Sequence, residues 1–137
     1  MKEIRGNLFE QKADAICITT NSTVKKDGRA VMGRGVALEA KNRWVGLDQK
    51  LGACISTFGL QVESLIYDFN KRYTVIAFPV KYQWFDKANL MLIEKSCKEL
   101  VTMTTANDWK NVVIPKPGCG AGHLKWEQVK PVIEKQL

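Results

Sequence analysis

A chain of 137 residues, 45% apolar and 26% charged, is long enough to bury one core without disulfide staples and too short for two independent ones. That balance argues against a disordered or collagen-like chain, and no apolar stretch approaches the ~18 residues of a membrane-spanning helix. The net charge of +7 favours an anionic partner (nucleic acid, a phosphorylated metabolite or an anionic surface) or reflects a solvated basic face. No basic run exceeds Lys25-Lys26, which disfavours a dedicated duplex-binding module.

Met1 to Gly6 carries a charge at every second or third position and no apolar core, so it does not read as a secretory signal and a cytoplasmic protein is expected. Ala13 to Thr20 (ADAICITT) is a short β-branched run that reads as a buried central strand. Asn21 to Gly35 (NSTVKKDGRAVMGRG) is a glycine loop, and from Val36 the residues VALEAKNRW favour helix. Gly46 to Thr57 predicts a second short helix, and Val62 to Asp68 and Tyr73 to Val80 predict strands joined by the turn Phe69-Asn70-Lys71-Arg72. Asp86 is a candidate N-cap for an amphipathic helix whose apolar stripe is Leu90, Ile93, Cys97, Leu100 and Val101. Asn111 to Pro115 predicts another short buried strand, followed by a second glycine loop, PKPGCGAGHL. The chain closes on a helix from Trp126 with Pro131 near its first turn. Strand, glycine loop and helix thus occur twice, and the alternation predicts a three-layer α/β/α domain over residues 1–137 with a mixed, mostly parallel central sheet.

Cys17, Cys54, Cys97 and Cys119 lie far apart in sequence, which fits neither the close pairs of a zinc site nor a small disulfide framework. They read as reduced, mostly buried thiols, and with His123 as the single imidazole no metal site is expected. In an open α/β sheet ligands bind outside the carboxyl ends of the strands, so both glycine loops are expected to face one crevice. Backbone amides freed by glycine, together with a helix N-terminus, suit a diphosphate. Gly33-Arg34-Gly35 alone is not a dinucleotide fingerprint, since Leu38 stands where its third glycine belongs. Either loop taken singly reads equally as a turn.

Five segments, taken together, resemble the successive blocks of a macro domain: Gly6-Asn7-Leu8-Phe9, ADAICITTNS (13–22), VMGRGVALEAK (31–41), FPVKYQWFDKANL (78–90) and IPKPGCGAGHLKWEQV (114–129). They span nearly the whole chain. The strand ending in Asn, the MGxG loop and the GCGxGxLxW loop in this order are the specific combination. The MGRGVAL and FPVK segments are more similar to the branch of DNA ADP-ribosyl glycohydrolase antitoxins and human terminal ADP-ribose protein glycohydrolase than to the GGGGVDGAI branch.

The resemblance implies a cleft for ADP-ribose, needing no cofactor. Asn7 stands where many macro domains have an Asp that accepts from the adenine amino group, with Leu8 beside it. Asn21 is expected on the distal ribose. Met32, Gly33, Arg34, Gly35 and Val36 are expected around the diphosphate, closed from the other side by Pro117, Gly118, Cys119, Gly120, Ala121 and Gly122. Macro domains usually end on a strand after the last helix, and this sequence stops in helical residues, so the expectation is either a truncated chain or an absent final edge strand, and a monomer is expected.

Lys81 of FPVK aligns with the lysine implicated in catalysis in the glycohydrolase branch, where it attacks or stabilises the opened ribose. A desolvated lysine is the more nucleophilic for its lowered pKa, while the other reading is a surface lysine at a strand end. The human glycohydrolase has an acidic residue in its second loop where this chain has Gly122. His123 is a candidate for proton transfer, the other reading being a structural or solvent-facing histidine, and Cys119 is a weaker candidate nucleophile. One of Tyr82, Trp84 and Phe85 is expected to line the ribose or the attached group. Lys25-Lys26-Asp27-Gly28-Arg29 lengthens the first loop, as a lid, a nucleic-acid contact or a solvated tip. Three functions follow: hydrolysis of ADP-ribosyl linkages on DNA or protein, ADP-ribose-1''-phosphate phosphatase, and a non-catalytic ADP-ribose reader.

Overall fold

In the computed structural model, which describes residues 1–137, the central strand is β1 (Ala15–Thr20). It pairs in parallel with β3 (Tyr73–Pro79) on one side and with β4 (Val112–Val113) on the other. β2 (Glu63–Asp68) runs antiparallel to β3 at the edge, giving the order β2-β3-β1-β4. The β-branched runs of β1 and β3 form the middle of this sheet because it is covered on both faces. Alternate residues of β1 serve the two faces: Ile16 and Ile18 pack into one apolar cluster, Ala15 and Cys17 into the other.

The first cluster is covered by α1 (Gly35–Arg43) and α2 (Leu47–Phe58), which contribute Ala37, Ala40, Leu47, Leu51 and Cys54. The second is covered by α3 (Leu90–Asn107) and α4 (Trp126–Gln136), through Ile93, Cys97, Leu100, Val129 and Ile133. The result is the expected three-layer α/β/α architecture. Tyr73 is fully buried and donates its hydroxyl to the Phe9 carbonyl at 2.9 Å, fastening the N-terminal segment to the sheet. None of the helices is long and apolar enough to cross a membrane.

Several boundaries differ from the sequence reading, each for a local reason. β1 begins at Ala15 rather than Ala13, because the Asp14 carboxylate turns back to accept from the amides of Lys110 (2.5 Å) and Asn111 (3.2 Å). β4 shrinks to two residues, after which the chain leaves the sheet for the second glycine loop. Asp86 does not cap α3: its Oδ2 accepts from Gln83 N and closes a turn, and Asn89 caps instead by accepting from Leu92 N at 3.1 Å. Pro131 is the sixth residue of α4, inside the helix rather than at its first turn, so the Glu127 carbonyl loses its helical donor there.

Candidate functional site

The carboxyl ends of β1, β3 and β4 open into a cavity of about 600 Å³. Its floor is Thr19, Thr20 and Asn21 at the end of β1, with Pro115 and Lys116 after β4, and Val80 and Lys81, just after β3, line its wall. One wall is the first glycine loop and the start of α1, from Val31 to Ala37; the other is Gly118, Gly120, Ala121 and Gly122. Both loops face one crevice because both leave parallel strands at the same sheet edge.

Each wall keeps several backbone amides unpaired. α1 starts without a side-chain cap, with Arg34 extended (φ −145°, ψ 154°) at its N-cap, so the first amides of the helix lack an acceptor and the positive end of its dipole faces the cavity. Across the crevice, Leu124 N donates to Gly118 O at 2.8 Å and His123 N to Gly120 O at 3.1 Å, which folds the second loop. The amides of Gly120, Ala121 and Gly122 remain without a protein acceptor. Such opposed donors suit an anionic, oxygen-rich ligand such as a diphosphate.

Asn21 is buried and committed at both ends of its amide: Nδ2 donates to Val31 O at 3.1 Å and Oδ1 accepts from Thr23 N at 2.9 Å. It therefore ties the end of β1 to the start of the MGRG loop, and one amide proton and one lone pair remain for a ligand. Beside it the Thr20 hydroxyl is buried without a partner. Lys81 is half-buried on the cavity wall. Burial, reinforced by the like charge of Arg34, pulls its ammonium below the ordinary lysine range, with Asp86 acting in the opposite sense.

A second cavity of about 460 Å³ continues past Val36, Pro115 and Lys116, which line both; Asn7 and Leu8 lie here, with Phe9 and Glu39. Asn7 Oδ1 accepts from Phe9 N at 2.9 Å, capping a single 3₁₀ turn, Leu8–Glu10. One lone pair of the carbonyl that would receive an adenine amino group is thus engaged, and the other remains for a ligand.

Pro117, Cys119 and His123 do not line the main cavity. Burial pushes the Cys119 thiol up, against the influence of Lys116, and its Sγ lies 3.6 Å from Pro117 O; a protonated thiol folded back on its own loop is a poor nucleophile. His123 is exposed at φ 62°. Gly122 has its own steric reason: a Cβ there would sit 2.6 Å from both Ala88 Cβ and Gly118 O, so no acidic side chain fits that position in this loop. Of the three aromatics after Lys81, Trp84 is the one that reaches the cavity.

The Lys25–Arg29 segment is the tip of a hairpin closed by the Val24–Ala30 bridge. Ala30 N donates to Asp48 O at 2.9 Å, and Gly52 of α2 lies so close to the Gly28 carbonyl that a Cβ would approach it to 1.9 Å. The hairpin is folded against α2 and is not a lid over the crevice. Thr19, Thr20, Val80, Pro115 and Lys116 were not singled out from sequence. The strand ends that place a crevice at this edge are the signal that points to them, Lys116 being the basic residue between Pro115 and Pro117.

A three-layer α/β/α domain whose parallel strands end at two glycine loops with unpaired amides, with a half-buried lysine between them, has the form of an anion-binding α/β domain. The macro domain family model matches residues 48–133, and the chain belongs to that family. It is 28% identical, over its whole length, to a "DNA ADP-ribosyl glycohydrolase" of Thermus aquaticus, of which it spans 38%. The solved macrodomain of Thermus aquaticus DarG superposes with a TM-score of 0.81 at 28% identity, covering 98% of this chain and 87% of that one. A Thermosipho africanus DarTG structure in complex with ADP-ribose matches at a TM-score of 0.79 and 20% identity, over 96% of this chain and 38% of that one.

Proposed function

We propose that this macro domain binds ADP-ribose and hydrolyses the bond joining it to DNA. The observation that carries the reading is Lys81, held below its ordinary pKa by burial and Arg34 on the wall of a cavity flanked by two sets of unspent amides. The Thermus aquaticus relative, active by name on ADP-ribosylated DNA, supports the DNA linkage over a protein one. The reading takes residues 1–137 as one domain acting as a monomer in the cytoplasm.

The diphosphate lies between the amides of the 33–36 loop and those of Gly120, Ala121 and Gly122, with Arg34 and Lys116 as cations. The adenosine lies toward Asn7 and Leu8, and the distal ribose over Asn21, within reach of Lys81. The neutral Lys81 amine forms a bond to the anomeric carbon as the bond to the DNA base breaks, and the base leaves with that electron pair and gains a proton. Water then releases the sugar as free ADP-ribose and restores the amine. With Gly122 sterically committed, no carboxylate from the second loop takes part.

The test incubates wild type and Lys81→Ala with thymidine-linked ADP-ribosyl DNA, Glu-linked ADP-ribosyl protein and ADP-ribose-1''-phosphate, and measures ADP-ribose binding by calorimetry. The expected result is ADP-ribose released from DNA by wild type only, with both proteins binding ADP-ribose. Release of inorganic phosphate alone identifies a phosphatase, and binding without any product identifies a reader.

A further inference from the structure

The segment after Lys81 displays three aromatic rings to solvent. Tyr82, Trp84 and Phe85 are 50%, 47% and 68% exposed, and Trp84 meets Phe85 edge to face with ring centroids 5.6 Å apart. The backbone beneath them is pinned. Ser22 donates its amide and its hydroxyl to the Tyr82 carbonyl. Thr23 Oγ1 accepts from Trp84 N at 3.0 Å and donates to Gln83 Oε1 at 2.8 Å, while Asp86 Oδ2 accepts from Gln83 N at 3.0 Å. These hydrogen bonds fix the path of a loop whose rings have no core to enter.

The same Ser22 and Thr23 lead into the hairpin that carries exposed Lys25, Lys26 and Arg29 against a single Asp27. At ~3.3 Å per extended residue, Lys25 starts within about 7 Å of Thr23, to which the aromatic loop is fastened. Exposed rings on a loop fastened to the stem of a cationic hairpin suit a single strand of nucleic acid, whose unpaired bases stack on the rings while its phosphates meet the charges. A duplex keeps its base faces against one another and offers these rings nothing to stack on.

We propose that Trp84 and Phe85, with Tyr82, form a stacking platform for the base beside the ADP-ribosylated nucleotide of single-stranded DNA, and that Lys25, Lys26 and Arg29 hold phosphates of the same strand. The proposal rests on the hydrolase reading above: Lys81 faces the sugar, and Trp84, at the cavity mouth, faces what the sugar is attached to.

The test has two arms. In the first, an unmodified ten-nucleotide oligo-dT is titrated into wild type, Phe85→Ala, Phe85→Trp and the triple Lys25→Glu/Lys26→Glu/Arg29→Glu protein, at two salt concentrations. Phe85→Ala is expected to weaken binding by about tenfold and Phe85→Trp to restore it, while the triple variant binds weakly with a shallower salt dependence. In the second, ADP-ribose release is followed from a modified single strand and from the isolated ADP-ribosyl nucleoside. Phe85→Ala is expected to raise KM for the strand without changing kcat on the nucleoside or calorimetric affinity for free ADP-ribose. Wild-type strand binding by Phe85→Ala, a preference for duplex, or a parallel loss of ADP-ribose affinity overturns the platform. If wild type releases ADP-ribose from neither substrate the hydrolase reading fails, and the first arm still decides whether these rings bind a strand.

Discussion

Replacing Gly122 tests whether that glycine is required by packing or merely stands where an acid has been lost. The Cβ of Gly122→Ala would lie 2.6 Å from Ala88 Cβ and from Gly118 O, at least 0.8 Å inside ordinary 3.4 Å contact. Relief requires the second glycine loop to move away from the 82–89 segment, stretching the 3.0 Å bond from Ala88 N to Gly122 O. Overpacking of this kind costs about 1–3 kcal/mol, or roughly 3–12 °C in Tm for a domain of this size. Gly120→Ala is the internal control, because its added Cβ meets nothing within 4 Å and its φ is not in the left-handed region; it is expected to stay within about 0.5 kcal/mol of wild type. Thermal unfolding of both proteins, with ADP-ribose calorimetry alongside, is the assay. Gly122→Ala should lose stability and weaken ADP-ribose binding. Should Gly122→Ala melt with Gly120→Ala, or Gly122→Asp speed ADP-ribose release at wild-type stability, the steric account of this position is wrong.

Three other substitutions test separate parts of the structure. On the proposed mechanism release needs neutral Lys81, whose pKa lies below the ordinary lysine value, so kcat should climb with pH along a limb below that value. Arg34→Gln removes a like charge, raises the Lys81 pKa and moves the limb to higher pH; a limb that stays in place removes Arg34 from the titration. The same lowered pKa means that the unfolded chain binds the extra proton, so this lysine's destabilising contribution fades as pH rises from its folded value to about 10.4. Tyr73→Phe deletes the buried donor to Phe9 O and should cost about 1–2 kcal/mol in urea unfolding; an unchanged midpoint refutes the clasp. Gly52→Ala places a Cβ 1.9 Å from Gly28 O, so the hairpin must lift from α2. Loss of hydrogen-exchange protection at the Ala30 amide is the expected sign, and retained protection would mean that α2 moves instead.

Much of this molecule can be read from sequence because its signals are local. The β-branched runs of β1 and β3, the helix-forming stretches and the two glycine loops each have their own periodicity or composition, and the crossover rules of α/β sheets then bring both loops to one edge. Lys81 is legible because it follows a buried strand directly, and Asn21 because it ends one.

What remained hidden is which partner each polar group or loop takes, whether that partner is near or far along the chain. Asp86 looks like a helix cap until Gln83 claims its carboxylate and Asn89 takes the role. Asn7 looks wholly uncommitted until Phe9 N takes one of the two lone pairs of its carbonyl. The charged hairpin reads equally as a lid until α2 presents Gly52 beneath it, and the glycine at position 122 has no evident reason until Ala88 and Gly118 are seen to leave no room for a Cβ. Sequence by itself determined the layers, the crevice and the position of Lys81 at its edge, because period, propensity and chain order carry them. The tertiary structure alone decided which polar groups are already spent and which surfaces are left open, since a hydrogen bond or a steric contact belongs to two residues whose distance in space their distance along the chain does not set.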